Sequence, residues 1–311
     1  MLDLLGIVLT VAGLCLFETI SSIDNAIINA EVLGTMGERA RRWFLLWGLL
    51  LAVFVVRGVL PWLIVWATTP ALGPVGALTA TFSDDPAVAG AIEESAPILL
   101  AFGGTFLVFL FLHWIFLEPK EFGLRGERYF AEKGVWFYAA VSVALAVIVW
   151  FAINRQPLMA FGAVMGSTAF FIVQGFRNNA ELKEQQLKEA QLSDISKIFY
   201  LEVIDATFSI DGVLGAFAFT FSVPLIILGN GIGAVVVRQV TVGNIERIRR
   251  YVFLKNGAMY SILCLGLVML LDAFGLHIPS YVSPVVTFAV VGYFMYKSVR
   301  LVRYMDMREH P

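Results

Sequence analysis

Nine long apolar segments dominate the chain and restrict how it can fold. They cover residues 4–33, 43–67, 96–117, 135–153, 157–176, 198–220, 222–241, 256–274 and 280–299. A helix needs about 20 apolar residues to cross the hydrocarbon core of a bilayer, and these segments are near that length. We therefore predict an all-α fold, a polytopic bundle of about nine transmembrane helices that forms a single domain over residues 1–311.

The composition supports a lipid-facing surface. Of the 311 residues, 59% are hydrophobic and 15% are charged, and the mean hydropathy is +0.81. Soluble domains are roughly 45–50% apolar and about 25% charged. The net charge of −2 argues against a nucleic-acid partner, which requires a basic face. The lipid bilayer is the predicted partner, and no prosthetic group is expected.

The basic residues predict the orientation. Lysines and arginines cluster after the first, third, fifth, seventh and ninth segments, whereas the acidic loop 68–95 follows the second. Cytoplasmic loops carry an excess of Lys and Arg, so the N-terminus is expected outside and the C-terminus in the cytoplasm. Loop 68–95 is then extracytoplasmic, and residues 177–197, which are charged and rich in helix formers, form a helical cytoplasmic linker. The plasma (inner) membrane of a prokaryote is the expected location.

Two segments carry a matching acidic motif. Segment 4–33 contains ETISSIDN (18–25) and segment 198–220 contains DATFSIDG (205–212). Under the predicted orientation the two segments run in opposite directions through the membrane. Transporters with inverted-topology repeats have this arrangement, and their substrate sites lie between the repeats near the bilayer midplane.

Carboxylates inside a membrane span are costly. An Asp at the centre of a spanning helix costs about 2.5–3.5 kcal/mol on insertion scales. Hydrogen-bonded acids that only hold helices together are one explanation, and a cation or proton pathway is the preferred one. The acids concerned are Glu18 and Asp24 in the first motif segment, and Glu202, Asp205 and Asp211 in the second.

Helical geometry separates the two acids of each motif. Glu18, Ser22, Asn25 and Asn29 share one helical face, and Asp24 lies about 120° away from Glu18. Either the helix is unwound near Ser-Ile-Asp, or the two acids serve different steps. We favour a site in which Asp24 and Asp211 face each other.

The other candidate residues complete or control this site. Asn25, Ser209 and backbone carbonyls would complete the coordination, and Glu18, Asp205 and Asn230 are further candidate ligands. Glu18 and Asp205 could instead couple transport. Oxygen ligands suit Mn²⁺, Ca²⁺ or Mg²⁺ and disfavour soft metals. Such carboxylates could also exchange protons, which makes protons a candidate counter-ion.

Two charged or titratable residues inside spans require partners or special positions. Arg57 must pair with an acid, with Glu18 as one candidate, and this pair would be either a coupling device or a purely structural one. His113 would be a gate, a proton relay or a ligand, or an ordinary histidine near the membrane interface. Glu202 and Arg238 are assigned to coupling or gating.

Several blocks of the sequence resemble the TerC family of integral membrane proteins, in particular its longer branch of unknown function. They are FETISSIDNAIINA (17–30), LEVIDATFSIDGVLGAFAFT (201–220), GNGIGAVVVRQ (229–239) and KNGAMYSILCLGLVMLL (255–271) followed by HIP (277–279). Gly212 departs from the pattern, because that family often has Ser there. The resemblance implies efflux of Mn²⁺, a link in some members to tellurium resistance, and a distant relation to lysine exporters.

Three functions remain open at this point. The first is a divalent-cation exporter for which Mn²⁺ is the first candidate. The second is an exporter of an organic cation or an amino acid. The third is a non-transporting membrane partner protein that uses loop 68–95 or residues 177–197. An enzyme is not expected.

Overall fold

The computed structural model describes residues 4–51, 57–79, 86–120, 122–124, 126–189 and 193–309. Within these ranges it describes the backbone but not the side chains at 24, 25, 28, 31, 49, 68, 86–89, 92, 180–189, 208, 240–247, 249, 308 and 309.

Regular structure in the described ranges is helical throughout. The helices are α1 (Leu4–Ser21), α2 (Ile23–Gly34), α3 (Glu38–Trp43), α4 (Leu49–Leu51), α5 (Leu60–Thr68), α6 (Gly73–Thr79), α7 (Pro86–Leu117), α8 (Glu127–Ala131), α9 (Phe137–Ile153), α10 (Pro157–Glu189), α11 (Asp194–Phe208), α12 (Ile210–Ala216), α13 (Val223–Arg249), α14 (Leu254–Ala273) and α15 (Val282–Glu309). A π-helical turn, Phe44–Gly48, joins α3 to α4. The predicted all-α class is confirmed.

Within the described ranges, six helical segments are long and apolar enough to cross a membrane. They are Leu4–Ser21, Glu93–Leu117, Gly134–Ile153, Pro157–Asn179, Leu254–Ala273 and Val282–Met307. Each corresponds to one of the nine predicted segments. The chain is therefore a multi-pass membrane protein by the length and composition of its helices.

The other three predicted segments have a different form. In segment 43–67, the helix Arg57–Ala67 is too short to cross a membrane by itself. Together with Pro70–Thr79 it is long enough, but the two helices are bent by 103° relative to each other. Segment 198–220 is divided at Ser209 between α11 and α12. In segment 222–241 the apolar part of α13, Val223–Gln239, belongs to the shorter helices of 10–17 residues. Nine full spans therefore stay a prediction.

The predicted linker 177–197 is not a separate element over its first part. Helix α10 continues without a break from the fifth apolar segment to Glu189. The next helix, α11, begins at Asp194, and Ser193 caps it by accepting a hydrogen bond from the backbone N–H of Ser196. A serine at this position satisfies one of the free donors of the first helical turn.

Helix α7 forms the centre of the bundle. In its most apolar 18 residues 78% are buried, compared with 22% in the corresponding parts of α9 and α15. It packs against α10 and α14, and Phe106 and Phe109 contact the edge of Phe170 on α10. Glycine permits the closest approach, because a Cβ at Gly166 would lie 2.1 Å from the carbonyl oxygen of Phe102.

The two motif segments lie on one side of this core. Helix α1 packs against α13 and α15, while α2 contacts both α13 and α11. Helix α12 contacts α1, α7 and α11. The acids of the two motifs are therefore brought close together across α1, α2, α11 and α12.

Candidate functional site: a buried charged cavity

Both motif helices are interrupted at the same serine of the motif. Helix α1 ends at Ser21 and α2 begins after Ser22, while α11 ends at Phe208 and α12 begins after Ser209. The backbone dihedrals agree closely, with φ −90° and ψ 0° at Ser22 and φ −83° and ψ −11° at Ser209.

Each interruption is a local bend and not an unwound segment. Ser22 and Ser209 still donate to the carbonyls four residues earlier, at 3.1 and 3.0 Å. The Ser209 hydroxyl also donates to the Asp205 carbonyl at 2.6 Å, and such back-bonding bends helices. The described backbone is therefore bent at the motif serine but not unwound, and different roles for the two acids of each motif stay a prediction.

Arg57 joins the first acids of the two motifs. Its Nη2 lies 2.6 Å from Glu18 Oε1, and its Nη1 lies 3.7 Å from Asp205 Oδ2. Arg57 Nε also donates to Glu18 Oε1 at 2.9 Å. The side chains of Arg57 and Glu18 are 3% and 1% exposed. A buried charge requires a partner of opposite sign. These distances confirm the predicted pairing of Arg57 with Glu18.

Beside this ion pair lies a cavity of about 70 Å³, which we call the charged cavity. Its polar and charged lining residues are Glu18, Ser22, Asn29, Arg57, Glu202, Asp205 and Arg238. Ser22 donates to Glu18 Oε1 at 2.7 Å. The predicted face with Glu18, Ser22 and Asn29 therefore points into one cavity.

Three buried oxygens of these lining residues have no hydrogen-bond donor in the described structure. They are Glu18 Oε2, Asn29 Oδ1 and Glu202 Oε1. Buried polar atoms in proteins nearly always have a partner, which is protein, water or an ion. A water molecule or a cation in the cavity would satisfy these oxygens.

Glycine makes room for two of these carboxylates. A Cβ at Gly48, in the π-helical turn, would lie 2.1 Å from Glu202 Oε1. A Cβ at Gly212, in α12, would lie 2.8 Å from Glu18 Oε2. Gly48 was not predicted as a site residue, because its role depends on the approach of two distant segments.

Asp211 has a different environment from Asp205. Asp211 Oδ1 accepts a hydrogen bond from Arg177 Nη2 at 2.8 Å, and both side chains are buried. Asp211 is not among the lining residues of the charged cavity. The two acids of the second motif thus face different partners, as their separation around the helix predicts.

Most of the chain matches one known protein family. Residues 23–305 match the family described as protein of unknown function (DUF475). The chain belongs to this family. No curated protein and no solved structure gives a significant match. The matched region of this DUF475 chain contains Arg57, Glu202, Asp205 and Arg238, whereas Glu18 lies just before it.

The structure describes the side chains of only some of the predicted ligands. The side chains of Asp24 and Asn25 lie outside the described residues. Ser209 is buried, and its hydroxyl is bonded to the Asp205 carbonyl. Asn230 on α13 is fully buried, with no partner for Nδ2 or Oδ1 in the described structure, but it does not line the charged cavity.

The residues assigned to coupling or gating fall into two places. Glu202 and Arg238 line the charged cavity, and Arg238 Nη2 donates to the carbonyl of Phe44 at 2.6 Å. His113 is elsewhere, with its ring 5.6 Å from that of Phe137 and 6.1 Å from that of Phe170. His113 belongs to the aromatic core around α7.

Arg177 is a site residue that was predicted only as one of the basic residues on the cytoplasmic side. The signal that could have identified it is the need of a buried Asp211 for a counter-charge.

The described side chains do not form a preassembled metal site. Among them, no group of three or more His, Cys, Asp or Glu residues could hold a metal ion. Glu18 and Asp205 are instead directed at the Arg57 guanidinium. A cation that used these carboxylates would have to replace the positive charge of Arg57.

Proposed function

We propose that this chain is a membrane transporter that moves a small cation through the charged cavity, with Mn²⁺ as the first candidate substrate and Ca²⁺ or Mg²⁺ as alternatives. The observation that carries the proposal is the meeting of Glu18, Glu202 and Asp205 at one cavity, where Glu18 Oε2 and Glu202 Oε1 have no donor in the described structure. Carboxylate and amide oxygens are the ligands that hard divalent cations prefer.

Arg57 gives the cavity a positive charge of its own when no substrate is bound. Its guanidinium stands where a cation between Glu18 and Asp205 would stand. Two acids in a low-dielectric site cannot both remain charged without a counter-ion. We infer that substrate and Arg57 alternate as the partner of these acids, with protons as a further candidate for exchange.

The size of the cavity favours an ion over a larger solute. Its volume of about 70 Å³ corresponds to roughly two water molecules at about 30 Å³ each, their share of liquid volume. An ion with part of its hydration shell fits this space. An organic cation or amino acid would require the cavity to widen.

The architecture that accompanies this proposal has nine spans, an N-terminus outside, a cytoplasmic C-terminus and an inverted repeat, in a prokaryotic plasma membrane. The matched bends at Ser22 and Ser209 support the repeat, and so does the contact of Arg57 with acids of both motifs. The resemblance of the motif blocks to the TerC family supports export of Mn²⁺.

Flux through proteoliposomes tests the proposal. Mn²⁺ flux is measured for the unmodified chain and for Asp205→Asn, Asp24→Asn and Asp211→Asn, with Glu38→Gln as the control. Glu38 is exposed and pairs with Arg42 on α3, away from the charged cavity. We expect Asp205→Asn to abolish flux and the control to retain it.

The same assay separates the alternatives. Competition by Ca²⁺ or Mg²⁺ but not by lysine supports the ion, and the reverse supports an amino-acid exporter. Undiminished flux in all three Asp variants would remove the motif acids from the transport path. Absence of flux in the unmodified chain, in both directions and with a pH gradient, would favour a non-transporting partner protein.

A further inference from the structure

A second cavity lies where α7 and α13 end and α14 begins. Its volume is about 330 Å³, compared with about 70 Å³ for the charged cavity. Its charged lining residues are Glu118, Lys120 and Lys255, and most of the remaining wall is apolar. We call it the lysine cavity.

The described lining residues of the lysine cavity carry one negative and two positive charges. Lys255 Nζ lies 2.6 Å from Glu118 Oε2. Among the described residues, no carboxylate lies within ion-pair distance of Lys120 Nζ. This ammonium instead lies 3.8 Å from the centre of the Trp114 ring and donates to the Trp114 carbonyl. An ammonium has three donors, so Lys120 retains donors for a ligand.

The position of Lys120 is costly for its charge in the absence of a ligand. It follows the apolar segment Glu93–Leu117. Partial burial lowers the pKa of Lys120 to about 8, although Glu118 acts in the opposite direction. A bound anion would compensate for this burial.

The walls of the lysine cavity favour an amphiphilic occupant. Ile23 and Ile27 of α2 form one side, and Ile248, Val252 and Leu254 form another. A small inorganic anion would leave these side chains uncovered. Basic pockets between transmembrane helices on the cytoplasmic side bind phospholipid head groups, and the predicted orientation puts this end of the bundle on that side.

We propose that the lysine cavity binds the phosphate group of an anionic phospholipid. Lys120 and Lys255 contact the phosphate, and the isoleucine walls contact the glycerol region and the first acyl carbons. Glu118 competes with the phosphate for Lys255, and so sets the affinity of the site.

Helix α2 connects this site to the charged cavity. Ile23 and Ile27 line the lysine cavity, whereas Ser22, Ala26 and Asn29 line the charged cavity. A bound lipid therefore supports the helix that carries the second half of the first motif. Any effect of the lipid on flux rests on the proposed function, whereas binding of the lipid does not.

Lipid retention by the full-length chain tests the site. The purified protein is incubated with equal amounts of phosphatidylglycerol and phosphatidylcholine, and intact mass spectrometry measures the retained ratio. We expect phosphatidylglycerol to be preferred in the unmodified chain, and Lys120→Gln/Lys255→Gln to lower this preference about tenfold or more.

The matched control is Lys133→Gln/Lys297→Gln. These lysines also lie over aromatic rings, those of Tyr129 and Phe253, and do not line the lysine cavity. The control should keep the preference. An equal loss in both double variants, or an equal retention of the two lipids by the unmodified chain, would overturn the proposal.

Glu118→Gln distinguishes a binding site from a structural ion pair. If Lys255 serves an anion, the variant releases it and phosphatidylglycerol is retained more strongly. A decrease would overturn the proposal. Inorganic phosphate is tested separately by thermal unfolding of the delipidated protein. A stabilisation by phosphate that requires Lys120 would assign the site to free phosphate and overturn the lipid.

Discussion

Arg57 and Glu18 form an ion pair in which both side chains are almost completely buried, at 2.6 Å between Nη2 and Oε1. The pair connects two segments that are 39 residues apart in the sequence. Removal of either partner would leave the other as an isolated buried charge, which is far more costly than a pair in an apolar interior.

The first prediction concerns the coupling of these two residues. Arg57→Gln should lower the free energy of unfolding by about 3–5 kcal/mol, because it leaves buried carboxylates without their counter-charge. Glu18→Gln should cost less, since Asp205 remains beside Arg57. The double variant should be more stable than the sum of the single effects predicts.

Thermal or denaturant unfolding in one detergent measures this cycle. The control cycle uses Arg42 and Glu38, an exposed pair within α3. That pair should contribute no more than about 0.3–0.5 kcal/mol. Additive effects for Arg57 and Glu18 would show that the ion pair does not stabilise the fold.

The second prediction concerns the space around Glu202. Gly48→Ala places a Cβ 2.1 Å from Glu202 Oε1 and 3.0 Å from the Phe44 ring. Glu202 must then move, so cation flux should fall strongly. The cost in stability should be about 1–3 kcal/mol, which is typical of overpacking.

Gly34→Ala provides the matched control for Gly48→Ala. No atom lies within 4 Å of a Cβ at Gly34, so this glycine at the end of α2 has room for a methyl group. Flux and thermal stability are measured for both variants. Equal flux in the two would indicate that the position of Glu202 is unimportant for transport.

The third prediction concerns Gly212 of α12, which lies beside the Glu18 carboxylate. The added Cβ would lie 2.8 Å from Glu18 Oε2, an oxygen without a donor in the described structure. A serine hydroxyl here could donate to this oxygen, and a net gain of about 0.5–1.5 kcal/mol is typical of one hydrogen bond. That gain offsets the small shift that Glu18 must make.

Three variants resolve this prediction. We expect Gly212→Ser to have a melting temperature at or above that of Gly212→Ala. Gly212→Val should be the least stable, because its two extra methyl groups crowd Glu18 further and form no hydrogen bond. A lower melting temperature for the serine variant than for the alanine variant would contradict the proposed hydrogen bond.

The part of the site that follows from local rules could be predicted from the sequence. The pairing of Arg57 could be predicted because an arginine inside an apolar segment requires an acid, and the helical face with Glu18, Ser22 and Asn29 follows from 3.6 residues per turn. Both depend on properties that are visible within one or two segments.

The remaining part of the site depends on tertiary packing. Arg177 begins the predicted solvated helical linker 177–197, so its side chain was expected to face water. Helix α10 instead continues to Glu189 and presents Arg177 to Asp211. The shape of the charged cavity, and the role of Gly48 in it, similarly require distances between segments that no periodicity specifies.

The fourth prediction tests whether α11 and α12 together cross the membrane. Two single-cysteine variants are made. One replaces Ile195, which is 79% exposed and lies in the first turn of α11, and the other replaces Thr220, which follows α12. Cys15 and Cys264, the two native cysteines, are replaced by Ala in the background. With nine spans the two positions lie on opposite sides of the membrane.

A membrane-impermeant maleimide applied to intact cells, and then to inverted vesicles, reads out this topology. We expect labelling at position 195 only in the inverted vesicles and at position 220 only in intact cells. Labelling of both positions from one side would show that segment 198–220 enters the membrane without crossing it, and would reverse the direction of every span that follows.

The fifth prediction is the pH dependence of the lysine cavity. The pKa of Lys120 is lowered to about 8, mainly by burial. Lys120 is therefore charged below this pH and neutral above it. Its attraction for an anionic phosphate is lost as the pH rises. Retention of phosphatidylglycerol should decrease between about pH 7 and pH 9. Lysine ordinarily titrates near 10.4, so an unperturbed Lys120 would show little change in this range.

Lys120→Arg tests this cause, because arginine keeps its charge throughout this range. The variant should retain the lipid equally at both pH values. Glu118, Lys255 and Glu127 also act on Lys120 electrostatically. Lys255→Arg is therefore the control, and it should leave the decrease intact. A decrease that persists in Lys120→Arg would assign the pH dependence to a group other than Lys120.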